Sequence, residues 1–288
     1  MNPAEDRIRN ISDTALWAAI YRARETERPD ALFRDPFARR LTGDRGDRIA
    51  VQMRAHDRHE WAWVLRTVLF DRFIAGRIAA GADMVVNLAA GLDARPYRMA
   101  LPPALQWVEV DLPGLLDYKE EILRGENPGC ALERVRMDLA DTAARRELFQ
   151  RLGRRAKNAL VVTEGLLIYL TAEEVGVLAE DLAAPEGFRH WVLDIASPGL
   201  LRMLQREVGA ALEEAKAPLK FGPPEGPAFF EGFGWHPISV ESPLKAAARA
   251  KRLPFLLRLV AMLPESSGPQ GNRPWSGICL LEKKKRPR

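Results

Sequence analysis

Short apolar runs alternate with longer amphipathic segments along most of the chain beyond residue 81. Short runs bounded by glycine or polar residues are typical of buried strands, whereas apolar residues recurring every three or four positions are typical of helices. Strands are predicted at residues 84–89, 106–110, 133–137, 159–163, 190–195, 235–240 and 277–282, and helices at 115–123, 143–152, 172–184, 200–216 and 243–252. This alternation predicts an α/β fold with a doubly wound, seven-stranded, mostly parallel sheet.

Helical patterns also precede the first strand, over residues 11–25, over a short element from Asp35 onward, and over residues 58–79. We therefore expect an N-terminal helical cap at residues 1–80 and a core at residues 81–288. A lid insertion is predicted around residues 199–234, because residues 221–234 are rich in glycine, proline and phenylalanine. We expect the aromatic residues 229–235 and the N-terminal helices to cover a bound small molecule.

The net charge, the apolar runs and the cysteines limit the classes of partner and the compartment that the sequence predicts. The net charge of +4 is modest for 288 residues, and much of the excess lies in the basic tail at 283–288, so no nucleic-acid partner is expected. The apolar run at residues 253–263 is too short to span a bilayer and contains Arg258, so no membrane partner is expected. Cys130 and Cys279 form neither a disulfide framework nor a metal-binding spacing, which fits a cytoplasmic protein without a metal. The oligomeric state stays open.

One turn carries the first functional signal. The apolar run at residues 84–90 breaks at Gly91 and restarts at Asp93, which predicts a buried strand turning tightly into a helix. The next predicted strand leads to Asp111, and an acid at that position can hydrogen-bond both hydroxyls of a ribose. The two features together predict a cofactor that contains adenosine.

Polar and acidic residues stand at the ends of five successive predicted strands: Asn87 and Asp93, Asp111, Asp138, Glu164 and Asp194. Since the carboxyl ends of parallel strands share one edge, this pattern predicts a cleft of negative potential. Asp138 and Glu164, each taken alone, are explained equally well as acids at a helix start. A turn with one glycine and an acid suits a pyrophosphate poorly. The charge balance therefore favours S-adenosylmethionine, which carries a sulfonium and an ammonium.

Arg66, in the predicted helix at residues 58–79, is a candidate cation for the carboxylate of that cofactor. It lies off the centre of the apolar stripe of this helix, so the pattern alone favours a solvated helix charge. A nicotinamide-dependent oxidoreductase is a further alternative, although the turn lacks the second and third glycines of a dinucleotide-binding motif.

Several sequence blocks resemble a known family in the same order along the chain. They are DALFRDP at residues 30–36, RT at 66–67, NLAAGLDAR at 87–95, EVDLP at 109–113, DL at 138–139 and TEGLLIYL at 163–170. The resemblance extends over residues 11–282 and is to the leucine carboxyl methyltransferase-like branch of class I S-adenosylmethionine-dependent methyltransferases. That branch includes bacterial small-molecule O-methyltransferases and implies a Rossmann-like fold.

The resemblance implies a role for individual residues of this chain. Arg66 would hold the cofactor carboxylate, the turn from Ala89 to Gly91 would pass the methionine part, Asp111 would bind the ribose, Asp138 and Leu139 would frame the adenine, and Glu164 would lie near the amino group. Ala89 stands where the family usually has glycine, and Ala94 replaces a usual threonine. Residues 12–21 lack the lysine that carboxyl methyltransferases carry in their first helix, which argues against a protein C-terminus as the acceptor.

The residues nearest to the reaction are harder to predict. His236, beside Trp235, is the candidate base among four histidines, and Tyr169 is a candidate for the acceptor pocket, although an aromatic residue there is also explained by packing. A carboxylate acceptor needs no base, whereas a hydroxyl acceptor is helped by one. We expect an S-adenosylmethionine-dependent O-methyltransferase acting on a carboxylate or hydroxyl of a small molecule. A catalytically silent S-adenosylmethionine-binding protein is the alternative outside the enzymes.

Overall fold

All seven predicted strands are present in the computed structural model, which describes residues 11–52, 59–264 and 271–284. The strands are β1 (Met84–Leu88), β2 (Gln106–Asp111), β3 (Ala131–Arg136), β4 (Ala159–Thr163), β5 (Phe188–Ala196), β6 (Trp235–Glu241) and β7 (Ser276–Lys283). They pair in the order β3-β2-β1-β4-β5-β7-β6, and β7 runs antiparallel to both of its neighbours while the other pairs are parallel. The predicted mostly parallel sheet is confirmed.

The order of the strands reverses between β1 and β4, at the centre of the sheet. Every residue of these two strands is buried, because apolar clusters cover both faces. Their continuous apolar sequences are the expected consequence of burial on both sides. In open sheets of this kind, ligands bind beyond the carboxyl ends of the strands where the order reverses. The fold thus predicts a ligand-binding site at the loops that follow Leu88 and Thr163.

The helices within the described residues agree with the sequence pattern to within a few residues at most boundaries. They are α1 (Ile11–Glu27), α2 (Ala38–Gln52), α3 (Glu60–Ala79), α4 (Arg95–Arg98), α5 (Pro113–Ile122), α6 (Thr142–Arg155), α7 (Ala172–Ala183), α8 (Pro198–Glu214), α9 (Pro243–Arg249) and α10 (Phe255–Ala261). Short 3-10 helices lie at Leu167–Tyr169 and Gly226–Phe233. The second helix is longer than predicted and has a break at Gly43. Arg58, the predicted start of the third, lies outside the described residues.

The N-terminal helices pack in two different places. Val64, Leu69 and Phe70 of α3 join the apolar cluster on one face of the sheet. Helices α1 and α2 instead form a separate cluster with residues from the turn after β1 and from α8. The predicted division between a cap at 1–80 and a core at 81–288 assigns α3 to the cap, although α3 contacts the sheet directly; that division stays a prediction.

The aromatic segment predicted as part of a lid packs into the core instead. Phe230 and Trp235 are fully buried, and both pack edge-on against Trp191 of β5. The indole Nε1 of Trp235 donates a hydrogen bond to the carbonyl oxygen of Ala179 in α7, at 2.9 Å. The prediction that these residues need burial is confirmed, but the prediction that residues 229–235 cover the small molecule is wrong, because they fill the space between the sheet and α7.

The apolar run at residues 253–263 contains α10, which stands at the surface after α9. Within the described ranges, none of the helices combines the length and the apolar character needed to cross a bilayer.

Candidate functional site

A cavity of about 1100 Å³ opens at the carboxyl ends of the central strands. All of the predicted cofactor-binding residues line it, namely Arg66, Ala89, Gly91, Asp111, Asp138, Leu139 and Glu164. Tyr169 lines it as well. These residues come from α3 and from the loops after four different strands, and they meet because those strands are parallel neighbours. The predicted location of the site is therefore supported by the fold, while the contact that each residue makes with a cofactor stays a prediction.

The turn after β1 has an unusual backbone. Ala89 and Gly91 both adopt a left-handed conformation, with φ of 51° and 52° respectively. This region strongly favours glycine, since a Cβ atom crowds the following carbonyl group. Ala89 is thus one of the two residues at which the sequence departs from the family pattern, and its backbone is strained. The turn also brings Gly91 against α1, where an added Cβ would lie 3.3 Å from that of Ala15.

Asp111, at the end of β2, fastens this turn. One carboxylate oxygen accepts a hydrogen bond from the amide of Gly91 at 2.7 Å, and the other accepts one from the amide of Leu112 at 2.7 Å. Burial raises the pKa of Asp111, and the two amide hydrogen bonds oppose that shift. Each carboxylate oxygen keeps a further lone pair. Asp111 is therefore fixed in place and can still accept two hydroxyl donors, as binding of a ribose diol requires.

The loop after β3 is fixed by Arg145, which is itself part of a buried ion pair. Arg145 of α6 donates from Nη1 to the carbonyl oxygen of Leu139 at 2.8 Å, and its Nε donates to Asp181 of α7 at 3.1 Å. Asp138 is exposed and accepts a hydrogen bond from the amide of Ala140 at 2.9 Å. The predicted adenine-framing residues consequently lie on a loop whose backbone is anchored to two helices.

Glu164, directly after β4, links two arginines that are distant in sequence. Its Oε1 lies 3.1 Å from Nε of Arg66, and its Oε2 lies 2.9 Å from Nη2 of Arg95. Arg66 also approaches Asp194 of β5, with 3.6 Å between Nη1 and Oδ2. Gly165, with φ of 71°, lets its backbone approach, because a Cβ there would lie 3.1 Å from Nη1 of Arg66. The solvated alternative for Arg66 is wrong: its side chain is only 17% exposed and is ion-paired.

Arg95 is buried and forms ion pairs with three carboxylates. Its guanidinium contacts Asp71 of α3 at 2.6 Å and Asp93 at 2.9 Å, in addition to Glu164. Asp93 also accepts a hydrogen bond from Nδ2 of Asn87 at 2.9 Å. Burial opposes ionisation of Asp93, but the neighbouring cations, Arg95 first among them, outweigh it and lower the pKa of Asp93 to about 2. Sequence reasoning missed Arg95, although its place two residues after Asp93 in the turn was a usable signal.

The charges at this end of the cavity fit a cofactor with excess positive charge. Four carboxylates, those of Asp93, Asp111, Glu164 and Asp194, line this end of the cavity together with the guanidiniums of Arg66 and Arg95. Burial raises the pKa of Asp194, and the nearby Glu164 raises it further. A ligand that brings a sulfonium and an ammonium relieves this excess of negative charge, whereas a pyrophosphate would increase it. The residues present therefore fit S-adenosylmethionine. We call this part of the cavity the polar end.

The other end of the cavity is lined by helices. Its residues are mostly apolar and comprise Trp17 of α1, Trp61 and Trp63 of α3, Met203, Leu204, Val208 and Leu212 of α8, and Leu219 and Phe221 after α8. The guanidinium carbon of Arg66 lies 4.5 Å from the ring centroid of Trp63, so the two ends adjoin at this arginine. We call this region the apolar end. Part of the predicted lid insertion at 199–234, namely α8, lines it; a lid motion stays a prediction.

The structure changes the choice of candidate base. His236 lies on the edge strand β6 with its side chain 59% exposed, 3.4 Å from Glu231, and it does not line the cavity. This prediction is therefore withdrawn. His59, immediately before α3, does line the cavity, and its Nε2 lies 3.8 Å from Oε2 of Glu207 in α8. Tyr169 lines the cavity and hydrogen-bonds with Thr14; burial raises its pKa, which keeps the phenol neutral.

Neither cysteine takes part in this site. Cys130 and Cys279 are buried away from the cavity, and burial raises the pKa of both thiols, that of Cys130 to about 11. Among the residues that the structure describes, no group of three or more potential ligands is arranged to hold a metal ion.

The sheet order and the acidic strand ends define a class I methyltransferase fold, and two solved structures share it. A DUF574 family protein from Streptomyces avermitilis aligns with a TM-score of 0.58 and 15% identity, covering 92% of this chain and 96% of the other. A protein from Thermobifida fusca, described as an inferred methyltransferase, also aligns with a TM-score of 0.58 and 15% identity, covering 98% of each chain. At this level of identity the similarity establishes the fold alone.

Sequence relatives establish the family. The leucine carboxyl methyltransferase family matches residues 15–183. An inferred S-adenosyl-L-methionine-dependent methyltransferase from a Parafrankia species is 32% identical over 273 residues, which cover 85% of this chain and 83% of the relative. One from Mycobacterium bovis is 32% identical over 242 residues, 78% of each chain. The chain belongs to the leucine carboxyl methyltransferase family of class I methyltransferases, and its cofactor is S-adenosylmethionine.

Proposed function

We propose that this protein is an O-methyltransferase that acts on a carboxylate or hydroxyl of a small, partly apolar molecule. The observation that carries the proposal is the continuity of the polar end with the apolar end, which adjoin at Arg66. A cofactor held by the acidic strand ends would present its reactive part toward an apolar compartment large enough for an acceptor. The family membership supports methyl transfer, and the apolar lining supports the class of acceptor.

The chain contributes mainly by binding and orienting. S-Adenosylmethionine, when bound, supplies an electrophilic methyl group. Asp111 would hold the ribose, and Arg66 and Glu164 would hold the carboxylate and amino groups at the polar end. Trp17, Trp63 and the apolar residues of α8 would exclude water from the acceptor. Since displacement at a methyl carbon needs an in-line arrangement, correct placement of the two reactants can supply much of the rate acceleration.

The two acceptor types place different demands on the chain. A carboxylate is ionised at neutral pH and only has to be placed, whereas a hydroxyl benefits from transfer of its proton. His59 is the histidine that lines the cavity within the described residues, and Oε2 of Glu207 lies 3.8 Å from its Nε2. His59 lies immediately before α3, the helix that carries Arg66. His59 is therefore the base that we propose for a hydroxyl acceptor.

The first experiment is titration calorimetry with S-adenosylmethionine and S-adenosylhomocysteine, in which both should bind. The second incubates the protein with cofactor labelled in the methyl group and a small-molecule extract, and then treats the labelled product with mild alkali. A methyl ester releases labelled methanol, whereas a methyl ether keeps the label. Transfer of label to nitrogen or sulfur instead would contradict the O-methyltransferase proposal while leaving methyl transfer intact.

A catalytically silent cofactor-binding protein is the second candidate, and the strained backbone at Ala89 is the observation that favours it. This candidate predicts binding of both cofactor forms in calorimetry and no labelled product from any extract. A nicotinamide-dependent oxidoreductase has less support, because the excess of carboxylates at the polar end disfavours a pyrophosphate. Unchanged NADH fluorescence on mixing with the protein would dismiss it.

A variant pair tests the proposed base once a hydroxyl acceptor is in hand. His59→Gln should lower kcat by about 100-fold or more and remove the acidic limb of the pH profile, without changing the cofactor Kd. His236→Gln, at an exposed position outside the cavity, is the matched control and should behave as the parent protein. Equal rates for the two variants would show that His59 is not the base.

A further inference from the structure

Helix α10 and the residues directly after it expose an unusual amount of apolar surface. Phe255, Leu256 and Met262 are 71%, 73% and 81% exposed, and Leu259, Val260 and Leu263 are each between 48% and 59% exposed. The other large apolar residues that the structure describes as exposed, Leu32, Tyr118, Ile238 and Val240, are scattered and only 38–43% exposed. We call the six residues from Phe255 to Leu263 the α10 patch. A contiguous apolar patch of this kind marks a binding surface.

The segment that carries the α10 patch lies between Glu241 and Glu265 and is itself basic. Residues 242–264 contain five basic residues and no acidic one. Arg252 forms ion pairs with Glu25 at 2.9 Å and with Asp30 at 3.0 Å, and Arg249 forms one with Glu241 at 3.2 Å. Lys251 and Arg258 are exposed. The patch therefore combines exposed apolar side chains with two exposed cations, Lys251 and Arg258, which form its basic border and which an apolar, negatively charged partner would complement.

The same segment also borders the cavity. Leu257, Val260, Ala261 and Leu263 line it, and so do Leu244 and Lys245 of α9. The patch is thus continuous with the space in which the site lies, so a molecule held at the patch would be at the rim of the cavity.

We infer that the α10 patch docks the protein on the surface of an anionic lipid bilayer. Short amphipathic helices with exposed aromatic and aliphatic residues and basic flanks bind in the plane of such an interface, where the apolar side chains leave water and the cations meet lipid phosphates. Charge complementarity favours this partner over a second copy of the chain, since two identical positive surfaces would repel each other. This replaces the expectation of no membrane partner, which considered only a spanning helix.

Docking does not depend on the proposed activity, so it is tested on the full-length protein without any acceptor. The protein is sedimented with vesicles of phosphatidylcholine alone and with vesicles of phosphatidylcholine mixed with phosphatidylglycerol. We expect binding to the mixed vesicles that weakens as the salt concentration rises. Replacing Phe255, Leu256 and Met262 together by serine should weaken this binding by about 100-fold, since three apolar side chains no longer enter the interface.

Two matched controls separate the patch from general surface effects. Ile238→Ser with Val240→Ser removes exposed apolar side chains from the edge strand β6 and should leave vesicle binding unchanged. Lys251→Glu should weaken binding to the mixed vesicles by about tenfold, whereas Arg124→Glu, an exposed charge reversal after α5, should not. Thermal melts check that each variant is folded, which is expected because all of these side chains lie at the surface.

Three results would overturn the inference. The first is no sedimentation with either kind of vesicle, and the second is equal sedimentation of the parent protein and the triple serine variant. The third is a dimer in analytical ultracentrifugation that the triple serine variant abolishes, because a second copy of the chain would then cover the patch. Equal binding to neutral and anionic vesicles would equally contradict the role assigned to the basic border.

Discussion

The two ends of the cavity are built in different ways. At the polar end, the side chains come from strand termini and are fixed by backbone amides and ion pairs, as Asp111 and Glu164 show. At the apolar end, they come from α1, α3 and α8 and meet by packing. Directional contacts allow little variation, whereas apolar packing tolerates changes of size and shape. Under the proposed function, the strand ends together with Arg66 would hold the cofactor, and the helices at the apolar end would select the acceptor.

The largest effect is expected from Asp111→Ala at the polar end. Loss of the carboxylate should weaken cofactor binding by about 3 kcal/mol, because two ribose hydroxyls lose a charged acceptor in a buried site. Titration calorimetry measures the change. Asp117→Ala, an exposed acid on α5, is the control and should bind as the parent does.

The amides of Gly91 and Leu112 also lose their acceptor in Asp111→Ala, so a second variant is needed. Asp111→Asn keeps one acceptor oxygen and should recover part of the folding stability. Wild-type affinity in a folded Asp111→Ala protein would show that Asp111 does not bind the cofactor.

A pH-dependent loss of stability should follow from Asp93 at the polar end. The folded-state pKa of Asp93 is lowered from 3.8 to about 2, so its ionised form stabilises the protein above pH 3.8, and this contribution is lost as the pH falls toward 2. The lost free energy of unfolding should be about 2.5 kcal/mol. Urea unfolding at successive pH values should show a shallower acid slope for Asp93→Asn than for the parent. Identical slopes would mean that Asp93 is not held by Arg95.

Arg66→Gln tests the residue at which the two ends adjoin. Cofactor binding should weaken by about 2 kcal/mol, because the carboxylate of the cofactor loses a charged donor. Arg72→Gln is the control on the same helix, since Arg72 is 53% exposed and pairs with Glu241 on the outside. Calorimetry that finds the same Kd for both variants would rule out Arg66 as the carboxylate-binding residue.

Leu204→Asp should change ligand binding at the apolar end without changing it at the polar end. Placing a charge among the apolar residues of α8 should weaken binding of an apolar fluorescent probe, such as anilinonaphthalene, by about 1.5 kcal/mol, because the probe loses an apolar contact and meets a charge. The Kd for S-adenosylmethionine should stay within about twofold of the parent value. Ile238→Asp, on the distant edge strand, is the control for nonspecific probe binding. A large change in cofactor affinity would mean that the two ends are not independent.

The smallest effect is expected from Ala89→Gly, which should stabilise the fold by about 0.5–1 kcal/mol, because glycine accepts the left-handed conformation without strain. Thermal melting of the protein without cofactor measures it. A lower melting temperature would show that the gain in backbone freedom of the unfolded chain outweighs the relief of strain.

Much of the polar end could be predicted from the sequence. The alternation of apolar runs located every strand, and the rule that ligands bind at strand ends then placed Asp111 and Glu164 on one edge. The pairing of Arg66 with Glu164 and Asp194 could not be predicted in the same way, because residues 66, 164 and 194 become neighbours only when three separate elements pack together. The polarity of a strand end is a local property, whereas the partner of a side chain depends on the whole fold.

The positions of apolar segments outside the polar end were harder to predict, and α10 shows why. An apolar run such as residues 253–263 has the same sequence pattern whether it is buried or exposed, so its position at the surface depends on how the chain packs around it. The same applies to residues 229–235, whose need for burial was predicted correctly but whose neighbours were not. His59 did leave a usable signal, because it lies at the start of the helix that carries Arg66.

Glu164 lies between Arg66 and Arg95, and this arrangement bears on selectivity by charge. An incoming anion that displaces Asp194 from Arg66 would leave that carboxylate without its counter-ion in a buried place. A zwitterion brings its own cation and can satisfy the displaced carboxylate at once. Simple anions such as phosphate or acetate should therefore compete poorly with the cofactor for this site. Ligands with an amino-acid group should bind by replacing one ion pair with two.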